Sequence, residues 1–599
     1  MAVAQKTSLE ARLRNAASPK RLQAHLKRFS VLFRDTGGPD ERKAVDYIAE
    51  VLRGQGIAVR VHEFRGFVSL PGDASLEVLA PERTTIPCRP RSFGANTPPG
   101  GLEGVLTFAG SLEEDRSKMI FARTGEERDY EGVDAGGKIV LGTAGGPDGV
   151  KRATEHGATA YIHMWPSGED AIHEMIVTSI WGTPTPESID RLPRIPALSI
   201  KKADGERLRQ MMAGGPVRVR IQARAETGWR TLPVTVADIP GKDPEFLLVG
   251  AHIDSWYEGI TDNATGDACL LEMARVLNKH RRRLRRGVRF AWWPGHSHGR
   301  YAGSTWYADF AFDDLRRRAL GYLNIDSPGV RDTEIFDCRY NMGEVEDLMK
   351  QTVPEVTGQS PNIRRPFKAG DQSFWGIGLP SLGAFRMLPL DHPDRATVGG
   401  CGAGWWWHSP ADTLDKADAQ ILAADTGLYL TITARLVYPA VLPFTFVPTA
   451  GDFISLLDEL HETGKGILPM SDLIKKAERL RDLAAALEEV RASLAAAGAV
   501  RRAIGKTGAR IARLNRGMMA LSRILNPALY TVEGPYDHDL ALQAPMLPGL
   551  QAARRLAAMA PDSDDYGFLR ARLVRARNRV ADALDGAAEH VEVLLSQVG

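Results

Sequence analysis

Apolar and polar positions along the 599-residue chain fall into three textures. In the first, helical and strand periods alternate. Ala44, Val45, Ile48, Val51 and Leu52 recur at helical spacing within Glu41–Arg53, Gly54 and Gly56 end that element, and Val59–Phe64 alternates as a strand. The rhythm resumes after Leu232. Phe246–Val249, Val288–Trp293, Leu320–Ile325 and Ser381–Phe385 read as strands, Asp267–Leu277 and Tyr301–Phe312 as helices, and a further helix begins near Asp418. Such alternation predicts an α/β domain.

The second texture, from about Pro90 to Arg224, is rich in Gly and Pro, with short β-like runs. One unit stands out there: a strand at Gly137–Gly142, a Gly-rich turn, a helix at Gly149–His156 and a strand at Ala158–His163. It reads as a β-rich insert, residues 90–232, in a domain built from 1–89 and 233–448. From Thr449 the composition shifts to Ala, Leu, Arg and Glu. Ser471–Leu494, Val500–Leu525 and Asp562–Val598, the last broken by Gly567 and Gly586, predict a helical bundle over 449–599. Its apolar stripe is expected to bury against another domain or another subunit.

Charge and cysteine content narrow the classes. Lys and Arg number 76 against 74 Asp and Glu, a balance that gives no reason to expect nucleic acid or an acidic membrane as partner. The run Arg281, Arg282, Arg283, Arg285 and Arg286 is read as a solvated helix end. Cys88, Cys269, Cys338 and Cys401 are widely separated, which suggests neither a disulfide framework nor a thiolate zinc site. Met1–Arg14 is charged throughout and no run reaches the ~18 apolar residues of a membrane span. The expectation is a soluble cytoplasmic protein.

Candidate chemistry begins where Phe246–Val249 runs through Gly250 into His252, Asp254 and, eight residues later, Asp262. In an extended segment His252 and Asp254 leave the same face, so one can orient the other. An imidazole with carboxylates around it at a strand end suits a first-row metal ion. The alternative is a strand-end histidine that simply hydrogen-bonds an aspartate. Asp326, ending Tyr-Leu-Asn-Ile-Asp, and His408, in Trp-His-Ser-Pro-Ala-Asp-Thr, bring the potential N/O ligands to four.

With these residues in place the sequence resembles the co-catalytic zinc aminopeptidases and glutamate carboxypeptidases, whose non-catalytic relatives include the transferrin receptor. The resemblance rests on Gly-Ala-His252-Ile-Asp254-Ser, Asp262-Asn-Ala-Thr-Gly, Gly-Ser304, Asn-Ile-Asp326 and His408-Ser-Pro-Ala-Asp-Thr. It implies an α/β aminopeptidase-like fold with a central mixed sheet flanked by helices. It also implies a protease-associated insert and a C-terminal bundle through which a homodimer forms. By the same resemblance Asp262 bridges two zinc ions, His252 and Asp326 complete one site, and His408 with a glutamate completes the other. The family's Glu-Glu pair, base then ligand, is absent: His296 takes the base position and Ser297 the ligand position, followed by His298. A serine hydroxyl is a poor substitute for a carboxylate on a dication, so one zinc-like or other divalent ion is expected rather than two.

Three outcomes stay open: a one-metal enzyme with His296 moving protons, a rebuilt two-metal site with His296 or His298 as ligand, and a catalytically silent dimeric binding protein. The leading function is a metal-dependent hydrolase of a peptide or small amide, with His296 and Asp254 as catalytic candidates. A metal-dependent lyase is the alternative. Arg300, Arg386 and Trp407 are candidate substrate contacts for a small molecule or short peptide. Asp371 is placed near the cleft without binding metal, Asp412 and Thr413 are expected to brace the His408 loop, and His163 and His392 read as partly buried histidines outside the site.

Overall fold

A computed structural model describes residues 8–111, 127–368, 370–397, 399–501 and 505–599. The strands that place the site are β1 (Ala58–Ala80), β2 (Leu102–Ala109), β3 (Ile139–Gly142), β4 (Ala160–Met164), β5 (Ala197–Ile200), β6 (Arg218–Ile239), β7 (Phe246–His252), β8 (Gly287–Trp293), β9 (Ala319–Asn324) and β10 (Ser381–Leu382). Side by side they run β10-β9-β7-β8-β6-β2-β3-β4-β5, and β1 lies antiparallel along β6.

Every residue of β7, β8 and β9 is buried, so these strands read as continuous apolar runs rather than alternating ones. β7 pairs in parallel with β8 on one side and β9 on the other. The chain therefore leaves β7 in one direction and returns past it in the other, which opens a crevice beyond the carboxyl ends of these strands. Gly250 permits the close packing there, because a Cβ at that position would lie 2.3 Å from the Trp293 indole nitrogen.

Helices Pro39–Gly54, Thr265–Lys279 and Ala419–Val437 cover the sheet where periodicity predicts them, the last capped by Asp418, which accepts from the amides of Gln420 and Ile421. Three expectations need correction. Tyr301–Phe312 is not one helix: Tyr301 is a left-handed cap at φ 67°, and helices Ala302–Phe310 and Phe312–Arg318 follow. Asp564–Val598 is a single helix through Gly567 and Gly586. Each glycine costs about 1 kcal/mol in a helix interior, but the buried stripe of Leu573, Val580, Leu584, Val591 and Leu594 outweighs it. The arginine run is only partly a solvated end. Arg281–Arg283 form an exposed turn, whereas Arg286 is buried and donates to the carbonyls of Leu436, Pro439 and Ala440. The expected helix from Val500 runs as Gly505–Tyr530, with residues 502–504 outside the described residues, as are residues 1–7 of the charged N-terminus.

The expected seam at 232/233 falls inside the unbroken strand β6. One end of β6 pairs with β8 and the other with β2, so the sheet continues into the insert, with a register shift between Pro71 and Ala74 of β1. The insert holds the parallel strands β2 to β5 and two helices, Pro147–Glu155 and Lys202–Ala213. C-terminal helices Val447–Thr463, Ser471–Arg501, Gly505–Tyr530 and Asp564–Val598 bury their stripe within the same chain. Buried Arg523 donates to the carbonyls of Arg316, Ala319 and Gly378. Among the described residues no helix is long and apolar enough to cross a membrane.

Arg286→Ala removes a guanidinium that satisfies three carbonyls at the end of Ala419–Val437. The expected outcome is about 3 kcal/mol of lost stability, read as a lower urea midpoint with an unchanged slope.

Candidate metal centre

His252 ends β7 with its ring fixed by the backbone. Nδ1 lies 2.9 Å from the carbonyl oxygen of Asp254, which can only accept, so Nδ1 carries the proton. Nε2 then faces Asp262 Oδ1, 2.9 Å away, and Asp326 Oδ1, 3.7 Å away. His408 repeats the arrangement from the opposite side: Nδ1 lies 2.8 Å from the carbonyl of Glu174, and Nε2 is 3.1 Å from Asp262 Oδ2. Two imidazoles thus face the two oxygens of one buried carboxylate. Each Nε2 can meet a carboxylate oxygen at these distances only through a positive charge between them, a proton or a metal ion.

The electrostatics of the group express the same demand. Burial pushes the His252 imidazole down, but Asp262 and Asp326 outweigh it and hold it well above its usual value. Burial pushes Asp262 up, and His252 and His408 reverse that to well below the carboxylate range. His252, His296 and Asp326 offer ligand atoms all within 4.8 Å of one another. A hard or borderline divalent cation fits this N/O donor set.

Asp254 has a different task from the expected one. Its side chain is 3.8 Å from His252 Nδ1 and does not bond it. It accepts instead from the amides of His296 (3.0 Å) and Ser297 (2.8 Å) and from the Thr36 hydroxyl (2.7 Å). The carboxylate therefore shapes the turn after β8 that carries His296. That ring stacks on His252 with centroids 3.8 Å apart and planes 4° from parallel, and both its nitrogens are buried without a partner. Burial, then the charge of His252, holds it well below the usual histidine value, so it is neutral. Ser297 Oγ is also buried without a partner. His298, offered above as a ligand, turns away: its Nδ1 lies 3.1 Å from the Thr36 hydroxyl and its ring packs on Trp256. Burial lowers it to about 3.

Support for the bridging carboxylate comes from residues far along the chain. Asp412 accepts from the amides of Thr261 and Asp262 and from the Thr261 hydroxyl, and so braces the Asp262 segment more than the His408 loop. Trp406 donates to the same hydroxyl at 3.0 Å. Trp407 stacks on His408 at 3.8 Å and belongs to the cleft wall, while Trp405 bonds Asp394 at the surface.

The centre opens into a cleft of about 130 Å³ that also reaches Arg300, Arg386 and Asp371. Arg386 is committed elsewhere: it pairs with Asp425 at 2.8 Å, which removes it as a free anion-binding group. Asp371 is held up to about 8 by burial and by the nearby Asp326. His163 is fully buried against Arg91 in the insert, more deeply than expected, and takes no part. Sequence reasoning missed Tyr301, whose ring meets His296 edge-on at 4.2 Å, and Gln543, which reaches the cleft from the C-terminal region. The left-handed backbone at Arg300 and Tyr301 leaves no trace in residue type, and Gln543 stands outside any motif.

Residues 235–430 match peptidase family M28. The chain is 22% identical over 344 residues to a probable glutamate carboxypeptidase of Zea mays, covering 48% of this chain and 47% of that protein. It is 31% identical over 259 residues to leucine aminopeptidase 2 of Arthroderma otae, covering 40% and 52%. The matched stretch thus spans about half the length of each of these curated relatives. Among solved structures, the aminopeptidase of Aneurinibacillus sp. strain AM-1 superposes with TM-score 0.53 at 21% identity, over 72% of this chain and 96% of that one. A peptidase M28 precursor of Shewanella amazonensis gives 0.55 at 18%, over 71% and 95%. The fold is shared with these proteins. The chain carries a peptidase M28 domain homologous to those of glutamate carboxypeptidases and zinc aminopeptidases.

Asp254→Asn removes one of the acceptors that shape the 296–297 turn while the Asp254 carbonyl still fixes His252. The expected outcome is about a 10-fold weaker affinity for a divalent cation at unchanged stoichiometry, measured by chelator competition. Wild-type affinity in the variant contradicts the assignment.

Proposed function

We propose, with the M28 peptidase domain as premise, that the chain is a metal-dependent hydrolase of peptides or small amides. It works with one zinc-like divalent cation and with neutral His296 as proton acceptor. The observation that supports this most is the pair of carbonyl-fixed histidines aimed at Asp262, with the unpartnered ring of His296 stacked beside them.

His252, Asp262 and Asp326 would hold the cation, which supplies Lewis acidity toward an amide carbonyl. A second ion would have His408 and Asp262 but no further carboxylate beside Ser297, which favours one. His296 keeps a free lone pair at neutral pH because burial and His252 both disfavour its protonation. One of its bare nitrogens takes a proton from the attacking water and returns it to the leaving amine. Asp254 holds His296 in place through the backbone, and Trp407 with His408 walls the cleft. The same neutral imidazole suits proton abstraction from carbon beside a carboxylate, so a lyase is the second reading. Homodimer formation through the C-terminal helices and a cytoplasmic location belong to the proposal as well. The dimer is tested by light scattering of the eluted protein, and four unpaired cysteines support a reducing compartment.

Elemental analysis of protein purified without chelator is expected to give one equivalent of metal, lost in His252→Ala and retained in His408→Ala. His296→Ala is expected to keep the metal and lower kcat by about 10²–10⁴; loss of metal in that variant would instead make His296 a ligand. Replacing His296 and Ser297 together by Glu should preserve or raise hydrolysis. Loss of an elimination activity in that double variant would favour the lyase, and absence of metal in every form would remove both enzyme readings.

A further inference from the structure

Arg300 follows the 294–299 turn with a left-handed backbone, φ 47°, and its carbonyl accepts from the Gly182 amide at 2.6 Å. The residue is only 9% exposed, yet among the described residues its guanidinium makes no hydrogen bond or ion pair, and Nε is buried without a partner. Its guanidinium lies over the face of Trp181, 5.8 Å from the ring centre. Burial lowers its basicity and outweighs Tyr301 and Asp148, which raise it. Asp148, the acid facing it from the insert, stays beyond ion-pair distance and accepts from the backbone of Gln543. By contrast, buried Arg34, Arg91, Arg286 and Arg523 each donate to carbonyls or side chains.

Leaving a guanidinium this deep without an anion is costly, and a fold that needed only packing would place an apolar side chain there. The rings lead from it to the metal centre: Trp181 stacks on Tyr301 at 4.0 Å, Tyr301 meets His296 at 4.2 Å, and His296 stacks on His252 at 3.8 Å. Arg300 and His296 therefore line the same cleft from adjoining positions.

We infer that Arg300 is a specificity-determining residue that binds a carboxylate of the substrate, so that the hydrolase takes acidic peptides or N-acyl amino acids over neutral amides. This rests on the proposed hydrolytic reading for the bond that breaks, but not for the anion that binds. The planar fork of Arg matches a carboxylate in a bidentate pair.

The test is calorimetric titration of the metal-loaded protein with succinate, succinamate, succinamide and inorganic phosphate, in wild type, Arg300→Gln and Arg300→Lys. Circular dichroism confirms that each variant is folded. Succinate is expected to bind at least 10-fold more tightly than succinamate in the wild type, to lose that advantage in Arg300→Gln and to regain part of it in Arg300→Lys. Phosphate binding tighter than succinate and lost in Arg300→Gln would assign a phosphate instead and overturn the carboxylate. Unchanged succinate binding in Arg300→Gln would overturn the inference while leaving the hydrolase intact. Arg300-dependent succinate binding in a protein that cleaves no amide would leave the inference standing and remove the hydrolase. In a hydrolase, the kcat/KM ratio of a peptide acid to its amide should fall toward one in Arg300→Gln, chiefly through KM.

Discussion

Two peptide carbonyls set the character of this molecule. The oxygens of Asp254 and Glu174 each take the Nδ1 proton of a histidine, and each thereby turns Nε2 onto one oxygen of Asp262. A side chain could titrate away from that task, whereas a carbonyl cannot. The buried carboxylate and its two imidazoles therefore form a site that a proton or a metal cation has to complete. Removing one member of such a buried charged set costs about 3–5 kcal/mol. The surrounding braces, Asp412 on the Thr261–Asp262 amides and Trp406 on Thr261, hold the carboxylate where that demand is made.

One of those carbonyls comes from the insert. The contact between Glu174 and His408 is reciprocal, since the Glu174 amide also donates to the His408 carbonyl at 2.9 Å. The half of the sheet around β7 and β9 supplies His252 and Asp326 from strand ends, while the insert fixes the tautomer of the remaining imidazole. The C-terminal region reaches the cleft as well, through Ala541 and Gln543. No single segment of the chain builds the centre alone. A fold with this division of labour ties assembly of the insert to the chemistry of the sheet.

Much of this was legible in the sequence where cause and effect lie close together. A strand of apolar residues ending in Gly-Ala-His, or in Asn-Ile-Asp326, puts its last side chain at a sheet edge, and periodicity is enough to say so. Partners separated by long loops were not legible. Arg386 looked available until Asp425, 39 residues later, closed on it. Asp254 looked like the partner of its near neighbour, but its carboxylate bonds amides 42 and 43 residues away. His298 was a possible ligand as an imidazole beside the site, but its ring turns to the Thr36 hydroxyl and to Trp256 instead. Conversely, Gly567 and Gly586 looked like breaks because local propensity was visible and the packed stripe of their helix was not.

The paired strands β1 and β6 have a mechanical consequence. They span both halves of the molecule, laddered from Ala58 against Asp238 to Ala80 against Arg218 with register shifts at Pro71–Ala74 and Val78–Ala80. An insert carried on a flexible linker can swing like a door. One carried on a continuous two-stranded beam has to bend the beam, and bending spreads over many hydrogen bonds at once. The insert then behaves as a fixed roof, pinned to the cleft wall by the reciprocal bonds between Glu174 and His408.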